Sequence, residues 1–185
     1  MTPQPAKPRV LIVDDHPANR RAFETLLEDK YTIGAAATGH QALEFTLKDE
    51  YAVILLDVRM PGMDGFEVAE MLRRRERTRH TPIVFISAFD QTVLQLKKGY
   101  VAGATDFVFS PVDEELLKLK VATYVEIYLR NEMLRLRIFE LEKTIGSLHT
   151  EFDRLDPSRA VLLQRIRNLE TIIESLKREL NTVPS

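Results

Sequence analysis

Five short apolar runs, at residues 10–13, 32–37, 52–56, 83–86 and 107–109, alternate with amphipathic stretches around 18–28, 40–48, 65–75 and 92–98. Runs such as VLIV, AVILL and IVFI are apolar throughout rather than at every second residue, so each strand they form needs cover on both faces. Strands alternating with helices in this way build a parallel sheet with helices on either side, a doubly wound α/β domain. In that architecture ligands bind beyond the carboxyl ends of the strands, so the residues that follow each run are the ones to read for chemistry.

The first run is followed by Asp14-Asp15 and the third by Asp57, which brings three carboxylates to one edge of the sheet. Like charges so placed repel unless a cation joins them, and an all-oxygen donor set with open positions suits Mg²⁺. The plainer reading, in which these aspartates cap the helices that follow, stands beside it.

Beyond Pro111 the period changes. Asp113 is a helix N-cap, and no Gly or Pro interrupts the chain from there to Gly146. Apolar residues follow a 3,4 alternation through Tyr124, Ile127, Leu134, Ile138, Leu141, Ile145, Leu148, Phe152 and Leu155. With Asn131, Ile138 and Ile145 at a positions and Leu134, Leu141 and Leu148 at d positions, this is a heptad seam of the kind that favours parallel two-stranded coils. Asn131 would fix its register. Asp156-Pro157 is a break that also fits a helical hairpin, yet the seam resumes in phase at Leu162, Ile166, Leu169, Ile173, Leu176 and Leu180. The expectation is therefore one kinked, parallel, dimeric coil. Possible cross-strand charge pairs are mixed: Arg137 with Glu142 attracts and Arg130 with Arg135 repels, so charge does not decide orientation. The resulting domain plan is a disordered leader at 1–8, an α/β domain at 9–123 and a coil at 124–183 with a break near 156–157.

Of 185 residues, 44% are hydrophobic and 29% charged, with a net charge of −2, which gives no ground for a chain-wide nucleic-acid or membrane binder. No run approaches the ~18 apolar residues of a membrane span, so the expected location is the cytoplasm. Cysteine is absent, which excludes disulfides and thiol chemistry.

The segments VLIVDDHPANR, ILLDVRMPGMDGFE, IVFISA and GATDFVFSPVD, in that order, resemble the receiver domain of two-component response regulators over residues 9–124. The resemblance implies a flavodoxin-like fold in which Asp57 accepts a phosphoryl group from a histidine kinase or phosphotransfer protein. It implies that Asp14, Asp15, Asp57 and the Arg59 backbone carbonyl hold Mg²⁺. Ser87 matches the hydroxyl that binds the phosphoryl group, Phe107 the aromatic switch and Pro111 a cis-proline. It also exposes a departure. Where the family carries a lysine this chain has Ser110, whose shorter, neutral side chain can donate one hydrogen bond but cannot neutralise charge.

The function expected is therefore a phosphorelay response regulator, itself a phosphoacceptor rather than an enzyme, that signals through a coil to a partner or a C-terminal effector domain. The alternative is a pseudo-receiver scaffold that acts independently of phosphorylation. Arg59 is a candidate substitute cation. His149, in SLHTEF, offers a weaker phosphotransfer reading; His16 carries no assigned role, and the basic run RRRERTRH at 73–80 reads as a solvated face.

Overall fold

The computed structural model describes residues 7–88, 93–152 and 159–182. Its elements are β1 (Arg9–Val13), α1 (Pro17–Leu27), β2 (Thr32–Ala36), α2 (Gly39–Lys48), β3 (Val53–Asp57), α3 (Gly65–Arg73), β4 (Ile83–Ala88), α4 (Val93–Val101), β5 (Asp106–Ser110), α5 (Glu114–Phe152) and α6 (Arg159–Thr182). The five strands form one parallel sheet in the order β2-β1-β3-β4-β5. The apolar runs account for this: every residue from Val10 to Val13 and from Val53 to Leu56 is buried, because helices cover both faces.

The chain divides into two compact units near Glu126. In the first, the core gathers Leu11, Ile54, Leu56, Phe66, Phe85 and Phe107 among its buried side chains. The opening turn of α5 is capped by Asp113, whose Oδ1 accepts the Leu116 N–H at 3.0 Å. Part of the expected leader is structured: the Pro8 carbonyl accepts the Thr32 N–H at 2.9 Å, and Lys7 Nζ donates to the carbonyls of Glu28 and Asp29. Residues 1–6 lie outside the described residues.

The second unit corrects the coil. Ile138 and Leu141 of α5 cluster with Ile173 of α6, with Ile145, Leu169, Leu176 and Leu180 packed around them. Lys177 Nζ lies 3.0 Å from Glu142 Oε1. In a continuous helix 35 residues span ~50 Å at 1.5 Å per residue, so the two helices must run antiparallel as a hairpin rather than as one kinked rod. The physical reason is that a hairpin and a parallel coil use the same apolar stripe, and a short connection raises the effective concentration of the second helix for the first. The anticipated break at Asp156-Pro157 lies outside the described residues.

The basic run faces solvent and also joins elements. Arg73 is half-buried and donates to the carbonyls of Gly103, Arg79 and Thr81, while Arg75 and Arg77 donate to those of Leu43 and Leu47. Burial lowers the Arg73 guanidinium to about 10. Carbonyls at helix ends and in loops require donors, and these arginines supply them. Arg73, Arg75 and Arg77 thus tie elements together, while Arg74, Glu76, Arg77, Arg79 and His80 are exposed, so the run is largely the solvated face expected.

Candidate phosphoacceptor site

Strand register sets the site. Asp57 is the last residue of β3 and pairs in register with Ile86, which places Ser87 one step further along β4. Ser87 is in turn opposite Phe109, with Ser110 next on β5. Asp14 and Asp15 follow β1 directly. Of the predicted site residues, Asp14, Asp15, Asp57, Ser87 and Ser110 thus share the carboxyl edge.

Asp14 is buried and held on both oxygens: Oδ1 accepts the His16 N–H at 2.8 Å and Oδ2 accepts Asn19 Nδ2 at 2.9 Å. Arg20 Nη1 donates to the Asp14 carbonyl at 2.6 Å. Asn19 and Arg20 were not singled out from sequence, although their place five and six residues after Asp14, on the first turns of α1, is the signal that could have found them. His16, left without a role, belongs to the cluster. Its Nδ1 is 3.0 Å from Asp15 Oδ1, and donor atoms of Asp14, Asp15 and His16 all lie within 4.8 Å of one another.

Asp57 is half-buried, and its Oδ1 accepts the Arg59 N–H at 3.3 Å. Its carboxyl is pushed up to about 6, chiefly by desolvation, with the charges of Asp14 and Asp15 adding to the shift and backbone N–H bonds opposing it. The MPGMDG segment explains how it is held. Gly62 turns at φ +81°, Asp64 and Glu67 form a reciprocal capping box, and α3 begins so close to β3 that a Cβ on Gly65 would lie 2.3 Å from the Asp57 carbonyl oxygen.

Ser87 is buried, and its Oγ has no hydrogen-bond partner. An orphaned hydroxyl at the end of a strand, facing a carboxylate edge, is the kind of donor that a ligand oxygen would satisfy. Phe107 points inward instead, its ring 5.5 Å from that of Phe85 and 5.0 Å from that of Tyr100. Ser110 is exposed and its bond to Pro111 is cis. A cleft of about 530 Å³ runs along this edge, with Asp14, Asp57, Arg59, Ser87 and Ser110 in its wall.

The donor set fits a hard divalent cation: carboxylate oxygens from Asp14, Asp15 and Asp57, with a raised Asp57 carboxyl that a positive charge would relieve. Asn131, by contrast, is in the second unit, where its Oδ1 is buried without a partner, and His149 is exposed on α5.

A model of the response regulator receiver domain matches residues 10–122. The chain belongs to that family. Receiver domains work in two-component phosphorelay signalling, and this one is 39% identical over 130 residues to the response regulator PleD of Caulobacter vibrioides, covering 70% of this chain and 28% of PleD. It is 33% identical over 146 residues to a probable cyclic di-GMP phosphodiesterase of Vibrio cholerae, covering 79% of this chain and 33% of that protein. The chain therefore spans about a third or less of the length of these two curated relatives. Among solved structures, chemotaxis protein CheY4 of Vibrio cholerae superimposes with a TM-score of 0.60 at 33% identity, covering 65% of this chain and 99% of CheY4. The receiver domain of a sensor histidine kinase from Pseudomonas aeruginosa, described with magnesium coordinated in its active-site cleft, gives a TM-score of 0.61 at 26% identity, covering 65% of this chain and 99% of that one. Among the described residues no helix is long and apolar enough to cross a membrane.

Proposed function

We propose that this receiver takes a phosphoryl group onto Asp57 and passes the change to a partner or effector. The observation that carries the reading is the unpartnered Ser87 hydroxyl on the same edge as the carboxylates of Asp14, Asp15 and Asp57. An Asp57 carboxylate oxygen attacks phosphorus, a P–O bond forms, and the P–N bond to the partner histidine breaks with the electron pair leaving on nitrogen. Ser87 Oγ donates to a phosphoryl oxygen. Asp14 and Asp15, with Asp57 and the Arg59 carbonyl, would hold Mg²⁺, which would neutralise charge on the transferring group. Asn19 and Arg20 keep Asp14 aimed.

Arg59, in the wall of the cleft, supplies a cation where Ser110 cannot. Removing it by Arg59→Ala changes the phosphoryl lifetime; an unchanged lifetime would exclude this role. The acyl phosphate itself is located by reduction with borohydride, which converts the phosphorylated aspartate to homoserine. Peptide mapping should find homoserine at position 57, and homoserine elsewhere or nowhere counts against the assignment.

Ser110 favours one second reading, a scaffold in which phosphorylation has no output. It predicts identical hydrogen exchange in α4 and β5 before and after phosphorylation. In the signalling reading, protection changes around Phe107. A parallel homodimer through Asn131, Leu134, Ile138, Leu141, Ile145 and Leu148 competes with the hairpin for the same side chains, so we propose dimerisation as a state that requires α6 to leave α5. The cognate partner in this reading is a histidine kinase or phosphotransfer protein, with output through an effector domain or partner, and the expected compartment is the cytoplasm.

A further inference from the structure

The cleft beside Asp57 is larger and more apolar than a phosphoryl group and a metal ion require. Its volume of about 530 Å³ falls in the ~300–1,000 Å³ range of small-molecule sites. Three acidic residues, Asp14, Asp57 and Glu114, line it together with Arg59 and His16. Its lining also includes the apolar residues Phe23 and Leu26 of α1 and Val112. Two hydroxyls, Ser87 and Ser110, also line it, and the first is buried with no partner. A hydrated divalent cation has no use for these apolar residues, and a free anion, unlike a phosphoryl group paired with a metal ion, would meet the carboxylates.

From this we infer that the cleft binds a small organic cation, a primary ammonium carried on a short aliphatic stem. An ammonium has three donors, which match the Asp57 carboxylate, the orphaned Ser87 Oγ and Ser110 Oγ. Its stem lies on Phe23, Leu26 and Val112. Serine at position 110 makes the room, since a long side chain at that strand end would occupy the same space. The regulatory consequence, which rests on the phosphoacceptor reading, is that the bound ammonium partners the phosphoryl group on Asp57 beside Arg59 and raises the phosphorylated fraction above its amine-free level. The shared chemistry has two sources, a free alkylamine or a lysine side chain offered by a partner protein.

The test uses the full unphosphorylated chain at saturating Mg²⁺, with n-propylammonium followed by amide chemical shifts. Saturable shifts at Ser87, Ser110 and Phe23 are expected, with none from n-propanol or tetramethylammonium. Ser110→Lys, which fills the space from within the chain, should weaken the amine at least about tenfold, the scale of one charge-assisted hydrogen bond. Absence of saturable binding at saturating Mg²⁺, or binding that Ser110→Lys leaves unchanged, would overturn the inference. N-acetyl-lysine amide binding as well as n-propylammonium assigns the source to a protein side chain, and its exclusion assigns it to a free amine. Because binding is read without phosphate, failure of Asp57 to accept a phosphoryl group would appear separately, in the phosphorylated fraction measured with and without amine.

Discussion

Asp57 sits in an environment that disfavours its charge, and this has a measurable cost. With its carboxyl at about 6 in the folded chain against 3.8 for the free group, the folded state binds the proton more tightly than the unfolded one. The associated stability is complete below about pH 4 and is lost as pH rises through about 6. Asp57→Asn, which removes the charge, should therefore stabilise the Mg²⁺-free protein at pH 7.5 by on the order of 1 kcal/mol after allowance for solvent screening. The gain should fade towards pH 4, as thermal melts across that range will reveal; a gain independent of pH would refute the electrostatic account. Gly65 makes a different prediction. Because a Cβ there would strike the Asp57 carbonyl oxygen at 2.3 Å, Gly65→Ala should cost about 1–3 kcal/mol in urea unfolding. The three aspartates were legible in sequence because strand ends in a parallel sheet share an edge. Asn19 and Arg20 were not, since a polar residue on an exposed first helical turn looks alike whether it faces water or reaches back to a carboxylate.

At the level of elements, the strands could be read from apolar runs that admit no solvent face, and β2 to β5 fall within a residue or two of the runs. The pairing of α5 and α6 could not, because heptad phase is indifferent to whether a stripe meets its mate from the same chain or from another. The decisive contacts, Ile138 with Ile173 and Glu142 with Lys177, depend on the connection between the helices rather than on either helix. Ile173→Ala should destabilise the hairpin by about 2–5 kcal/mol, because a buried aliphatic side chain is truncated. Hydrogen exchange should then quicken at the amides of 138–148 and 166–180 while the sheet amides of the first unit stay protected; loss of protection in both would mean that the two units do not unfold separately. The Lys177–Glu142 ion pair, exposed on both sides, should contribute at most about 1 kcal/mol.

For the whole molecule, hairpin and parallel coil differ in a distance. Spin labels at positions 142 and 177 of this cysteine-free chain should report about 10–20 Å in a hairpin, the spacing of packed helices plus label linkers, and ~50 Å in a continuous coil. A long distance that shortens on dilution would point to the dimeric coil and against the hairpin as the resting form. Phosphorylation remains the claim on which the rest of the account depends, because the Ser87 hydroxyl, the raised Asp57 carboxyl and the family membership converge on it. The measurement that reaches it most directly is the intact mass of wild type and Asp57→Asn after incubation with Mg²⁺ and a small-molecule phosphodonor. One phosphate adduct on the wild type and none on the variant is the result predicted. An adduct that persists in Asp57→Asn, or a folded, Mg²⁺-binding wild type that stays unmodified both by the donor and by a phosphorylated kinase partner, would contradict it.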